Sequence, residues 1–172
     1  MVNMGEDCIM KKTIYKRIIA IMCCCIVFLG AQITVAAASE TLWEGLESEF
    51  LEDEFESEDI WQNMTRRGTY LQKGHCKISN EGNRVVKISG GTDAYKKCDK
   101  VFATIYLDRY ENGTWVPVTS VSATVTDAYT ANCSKNVSVT GGYYYRARGY
   151  HTVYVGNTSE SAPSLSDGIW IE

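Results

Sequence analysis

Lys100-Val101-Phe102-Ala103-Thr104-Ile105-Tyr106-Leu107-Asp108-Arg109-Tyr110, then Glu111-Asn112-Gly113, then Thr114-Trp115-Val116, is the stretch that decides the fold. Val101, Ala103, Ile105 and Leu107 alternate with Phe102, Thr104, Tyr106 and Asp108. That period of two puts the first set on one face of a strand and the second on the other. The aliphatic set is the expected core face. Asn112-Gly113 between two β-prone runs marks a tight hairpin, because both residues tolerate the left-handed backbone such a turn needs.

The same pattern extends in both directions. Thr69–Leu71, Cys76–Ser79, Arg84–Ser89, Lys135–Val139, Tyr143–Val155 and Ile169–Ile171 are rich in Val, Ile, Thr and Tyr. Asn80-Glu81-Gly82-Asn83, Gly90-Gly91-Thr92-Asp93, Gly141-Gly142, Gly156-Asn157 and Asp167-Gly168 read as punctuation between them. No useful helical period follows residue 62. About seven short strands over residues 68–172 predict an all-β, antiparallel β-sandwich. In the strand after Gly142, Tyr143, Tyr145 and Ala147 face inward, while Tyr144, Arg146, Arg148 and Tyr150 form an outward stripe.

Residues 39–67 differ in character. Ten acidic residues and no basic one lie between Glu40 and Asp59. Leu42, Trp43, Leu46, Phe50, Leu51 and Phe55 recur at spacings of three and four, a helical stripe opposed by carboxylate repulsion. The expectation is an acidic arm, partly helical or disordered. From Ile60 to Glu172 there are 13 Lys/Arg against 9 Asp/Glu, a formal +4. That is too sparse a basic patch for nucleic acid.

Residues 1–38 read as a secretory signal peptide. Lys11, Lys12, Lys16 and Arg17 precede the uncharged run Ile18–Leu29, and Val35-Ala36-Ala37-Ala38-Ser39 offers small residues for cleavage between Ala38 and Ser39. Met10 makes a better start than Met1, since Glu6 and Asp7 are foreign to a basic leader. The rival is an uncleaved membrane anchor, for which residues 18–38 are long enough. Cleavage implies a secreted chain of 134 residues.

Three of seven cysteines survive that cut: Cys76, Cys98 and Cys133. An oxidising compartment makes a disulfide plausible. Cys76–Cys98 closes the shortest loop and leaves Cys133 over. His75 and His151 are the only histidines, and no spacing matches a zinc site. No metal or cofactor is expected. His75 and Cys76 are neighbours on a strand and point to opposite faces. Asp93, Asp99, Asp108 and Glu111 do not form a carboxylate pair, so no catalytic residues are assigned and no enzyme is expected.

Gly141-Gly142-Tyr143-Tyr144-Tyr145-Arg146-Ala147-Arg148-Gly149 followed by Ser159-Glu160-Ser161 resembles the penultimate strand and loop of fibronectin type III and immunoglobulin-like domains. That resemblance implies that Tyr143 is the corner tyrosine whose hydroxyl bonds back to the chain. The family's early-strand tryptophan has no counterpart between Arg84 and Ser89. Arg67-Gly68-Thr69-Tyr70-Leu71, Cys76-Lys77-Ile78-Ser79, Asp99-Lys100-Val101, His151-Thr152 and Ser166-Asp167-Gly168-Ile169 resemble a family of small secreted proteins of unknown function from anaerobic Gram-positive gut bacteria. This resemblance implies secretion and a β-rich domain, and it brings no activity.

The resulting expectation is a secreted, non-enzymatic binding module. Tyr144, Arg146, Arg148 and Tyr150 are the proposed contact, and a cell-wall polymer, a glycan or a protein is the partner. The alternative is an effector or bacteriocin-like product released from an acidic pro-segment near Arg66-Arg67.

Overall fold

The computed structural model describes residues 41–62 and 69–172. The leader, its Ala38/Ser39 junction, the Met10 start and the Arg66-Arg67 pair lie outside the described residues. A 3-10 turn at Thr41–Trp43 is followed by eight strands: β1 (Phe50–Leu51), β2 (Glu56–Gln62), β3 (Leu71–Gly82), β4 (Val85–Glu111), β5 (Thr114–Ser138), β6 (Tyr143–Val155), β7 (Thr158–Leu165) and β8 (Gly168–Ile171). They make one sheet in the order β1-β8-β6-β4-β3-β2, with β5 also on β4 and β7 also on β6.

The β4–β5 hairpin dominates. Asn112 and Gly113 turn it with φ of 52° and 84°, the paired left-handed residues expected of this dipeptide. The two strands run together from Glu111↔Thr114 to Val85↔Ser138, with a register break between Asp93 and Cys98. Before that break β4 has β3 as its other neighbour; after it, from Lys100 to Arg109, the neighbour is β6. The sheet therefore curls into two facing layers. One holds β2, β3 and the early half of β4; the other holds the late half of β4 with β6, β7, β8 and β1.

Four expectations are corrected here. Gly90-Gly91-Thr92-Asp93 is not a turn but the middle of β4. A Cβ on Gly90 would lie 2.3 Å from the His75 carbonyl oxygen and 2.5 Å from Ile105 Cδ1, so glycine is there for close approach between layers. Ser159-Glu160-Ser161 lies within a strand, β7, paired with β6. The acidic arm is extended rather than helical: β2 pairs antiparallel with β3 from Glu56↔Ser79 to Gln62↔Lys73. Its even positions point outward and its odd ones inward, a period of two, and the expected stripe from Leu42 to Phe55, just before it, forms a 3-10 turn at Thr41–Trp43 and the short β1 rather than a longer helix. Last, the sheet is mixed, because β1 lies parallel to β8.

The predicted core face holds: Val101, Ala103, Ile105 and Leu107 are fully buried. Two apolar clusters share the interior. One gathers Cys76, Ile78, Val86, Ile88, Ile105, Leu107, Tyr145, Ala147, Ile169 and Ile171. The other gathers Leu71, Ala94, Cys98, Val101, Ala131, Val153 and Ala162. Cys76 and Cys98 thus belong to different clusters, and both are free, as is Cys133; the expected Cys76–Cys98 bridge does not form. Tyr145, not Tyr143, bonds back along the chain, donating to the Thr140 carbonyl at 2.7 Å. Its ring is inside the core, and only its hydroxyl reaches the turn.

Between the clusters lies a buried polar link. His151 is fully buried. Its Nδ1 is 3.0 Å from Thr92 Oγ1 and its Nε2 2.8 Å from Ser164 Oγ. Thr92 Oγ1 already donates to the Phe102 carbonyl at 2.8 Å. Nδ1 must then donate to Thr92, and neutral Nε2 must accept from Ser164. Burial, then the field of His75, drives the His151 pKa down to about 3. Gly74 makes room for the ring: a Cβ there would sit 2.3 Å from His151 Cδ2.

Candidate functional site

The outward stripe of β6 lies where alternation put it, on the face away from the core. It is not bare. Register sets Asp108 opposite Arg146 and Tyr106 opposite Arg148. Both arginines turn to the one carboxylate. Arg148 Nε donates to Asp108 Oδ2 at 2.9 Å and Nη2 to Oδ1 at 3.3 Å, and Arg146 Nε reaches Oδ2 at 3.4 Å. The side chains are only 2 % (Asp108), 13 % (Arg146) and 16 % (Arg148) exposed, so this is a desolvated network rather than a solvated charge row. Burial pushes the Arg146 guanidinium down, and Asp108 opposes that shift.

Aromatic faces complete the packing. Arg146 lies 4.2 Å from the Trp115 ring centre, and Arg148 lies 4.5 Å from Trp43 and 4.8 Å from Tyr106. Such stacking suits the flat, weakly hydrated guanidinium.

The cover comes from the acidic segment. Trp43 is buried on this face, its indole N–H donating to the Gly149 carbonyl at 3.2 Å and the Ser164 carbonyl at 3.4 Å. Ser48 donates to the Ser166 carbonyl at 2.8 Å and accepts from Arg146 Nη1 at 3.1 Å. The Glu49 N–H meets Asp167 Oδ1, and the Gly168 N–H meets the Glu49 carbonyl. Phe50 stacks on Trp115 at 5.7 Å and meets Tyr110 and Tyr144 edge-on. Tyr144 donates to Glu52 at 3.1 Å. Residues 43–52 are therefore a strap across the stripe.

The face unites all four stripe residues and each has a partner there: Arg146 and Arg148 have Asp108, Tyr144 has Glu52, and Tyr150 lies 6.2 Å from the Trp43 ring at the edge of the strap. Tyr150 remains half-buried beside Phe102, 6.2 Å between ring centres, and its hydroxyl is 3.3 Å from Ser161 Oγ. Beyond the buried Thr152 on the same face of β6 comes Tyr154, 40 % exposed, with Lys100 Nζ 5.6 Å from its ring centre. Sequence reasoning missed Asp108, Trp43 and Trp115. A carboxylate on the face of Tyr106, one strand from two arginines, was the signal for the first; the strap gave none.

The groups suited to nucleophilic or acid–base work lie elsewhere. Burial pushes the Cys76 thiol up to about 12, and its Sγ faces the Ala147 carbonyl at 3.5 Å. Burial also raises Cys98 and Cys133. His75, on the opposite face from Cys76, is lowered by burial and then by Lys73. Among the described residues no cluster of three or more His, Cys, Asp or Glu is placed to hold a metal.

A family model, a family of unknown function designated DUF6147, matches residues 36–167, and the chain belongs to that family. No curated protein and no solved structure matches it.

Proposed function

We propose that this member of a family of unknown function is a secreted, non-enzymatic binding module that works outside the cell. The observation that carries the reading is the aromatic shelf of Phe102, Tyr150 and Tyr154 beside the strap. Phe102 and Tyr150 meet edge-on, all three rings stand on hydrogen-bonded strands, and Lys100 flanks Tyr154. Rings on a rigid sheet suit the apolar faces of sugar units, and the lysine suits an anionic wall polymer. The leader-like residues 11–38 support export. The titration states of the thiols and of His151 support a role without covalent chemistry, since a thiol raised to about 12 is protonated at neutral pH.

The contact shifts relative to the sequence expectation. Arg146 and Arg148 hold the face together, while Tyr150 and its neighbours meet the ligand. In a pull-down with purified cell-wall glycan, the wild-type chain should be retained. Tyr154→Ala combined with Lys100→Ala, two exposed residues of the shelf, should lose at least about tenfold in affinity, the scale of one significant interface contact, with an unchanged melting temperature. No retention of wild type, or full retention of the double variant, refutes the reading.

A further inference from the structure

We propose that the outer face of the early layer carries a second binding site, a groove over β3, β4 and β5 that takes the phosphate group of a polyol phosphate. It lies on the other layer from the aromatic shelf and does not rest on that reading. Its volume is about 320 Å³, the lower end for small-molecule sites.

Register builds the groove. His75 stands opposite Gly91 and Gly91 opposite Asn132, while Ser89 stands opposite Ser134. Residues paired across strands share a face. This face points away from the core, since the intervening Cys76 and Ile88 are fully buried. Gly91 leaves the row between His75 and Asn132 low. Asn132 Oδ1 takes the place that a Cβ on Gly91 would need, and Asn132 Nδ2 holds that orientation by donating to Thr130 Oγ1 at 3.2 Å.

The polar groups around the groove are uncommitted. His75, Lys87, Ser89 and Ser134 line it, and among the described residues their side chains make no hydrogen bond or ion pair. On the stripe, by contrast, each side chain has a partner. No carboxylate lines the groove. Glu58 and Asp93, whose fields reach His75, stand opposite Lys77 and Lys73.

His75 sets the polarity. Its Nδ1 is buried without a partner. A buried N–H left without an acceptor is rarer than a bare acceptor, so the ring proton belongs on Nε2. Nε2–H, the Lys87 ammonium and two hydroxyls then supply four donors from three strands. A tetrahedral phosphate offers oxygens in several directions at once and accepts charge-assisted bonds. Asn132 Oδ1, an acceptor beside them, suits a hydroxyl of the polyol.

The chain's two histidines make imidazole proton NMR a direct readout. At constant pH and an ionic strength held with chloride, glycerol phosphate should shift the His75 Cε1–H signal along a saturating curve and leave His151 in place. Inorganic phosphate should do the same with a higher midpoint. Lys87→Gln with Ser134→Ala, both exposed, should raise both midpoints at least about tenfold, the scale of one hydrogen bond to a charged group, with unaltered circular dichroism. Tyr154→Ala with Lys100→Ala should leave both midpoints unchanged, which separates failure of this site from failure of the shelf. An unsaturated response, wild-type midpoints in the first variant, or raised midpoints in the second overturns the proposal. Inorganic phosphate binding as tightly as glycerol phosphate overturns the polyol assignment.

Discussion

At the residue scale, His151 sets a pH limit. Its folded pKa of about 3 lies below the ordinary value of 6.5. The unfolded chain therefore takes up a proton as pH falls through 6.5, and the folded chain does not until near 3. Stability is lost across that interval, on the order of 4 kcal/mol between pH 7 and 3 if the full shift is expressed. Glu160 adds in the same direction. Burial pushes its carboxyl up, but the N–H groups of Leu71, Thr69 and Tyr70 outweigh burial and hold it low. That contribution fades at the acid end, as pH falls through the depressed value. Urea unfolding measured from pH 7 to 3 should show the decline. His151→Gln, which keeps a donor and an acceptor but does not titrate, should be less stable at pH 7 and show a shallower slope. An unchanged slope would exonerate the imidazole.

At the element scale, the strap is held by a few anchors. Trp43→Ala removes an indole with two carbonyl contacts, the Arg148 stack, an edge contact to Tyr106 and a tilted one to Tyr150. A loss of about 3 kcal/mol is expected, the lower end for a buried aromatic truncation, seen as a lower urea midpoint. Trp43 is the buried tryptophan of this face, so its emission should also report the docking. The β4–β5 hairpin was legible from Asn112-Gly113 and from alternation at 101–108, because both signals are local. The strap and β2 were not legible. Their partners, Gly149, Ser164 and Asp167 for one and β3 for the other, are fixed by tertiary contact, and a carboxylate-rich stretch carries no local sign of that. The stripe's face was readable from parity, but its occupancy was not. β7 was hidden because Ser159, Ser161 and Ser164 look like loop residues, yet they pair along β6.

At the scale of the whole molecule, the described residues Trp43–Glu172 pack as one unit, and the acidic segment is part of it. This bears on the alternative of release near Arg66-Arg67. A chain beginning at Gly68 would lose β1, β2 and the strap. It would also leave the Arg146–Asp108–Arg148 network without Ser48 and Trp43. Prepared side by side, a Gly68–Glu172 chain should melt well below a Ser39–Glu172 chain, by at least about 10 °C, since the cut removes Trp43 together with β1 and β2 and so costs more than the about 3 kcal/mol of the single ring. Equal melting temperatures would instead favour the processed effector.

Trp43 bonds to residues 106 and 121 positions further along the chain. A polypeptide that emerges N-terminus first exposes Trp43 long before Gly149 or Ser164 exists to receive it. The first part of this unit to appear thus docks only once the chain has been made as far as Ser164. Contacts of such long sequence separation are slow to form. During that wait the acidic residues between Glu44 and Asp59 keep an otherwise greasy segment hydrated, which gives the charge run a role in time as well as in space.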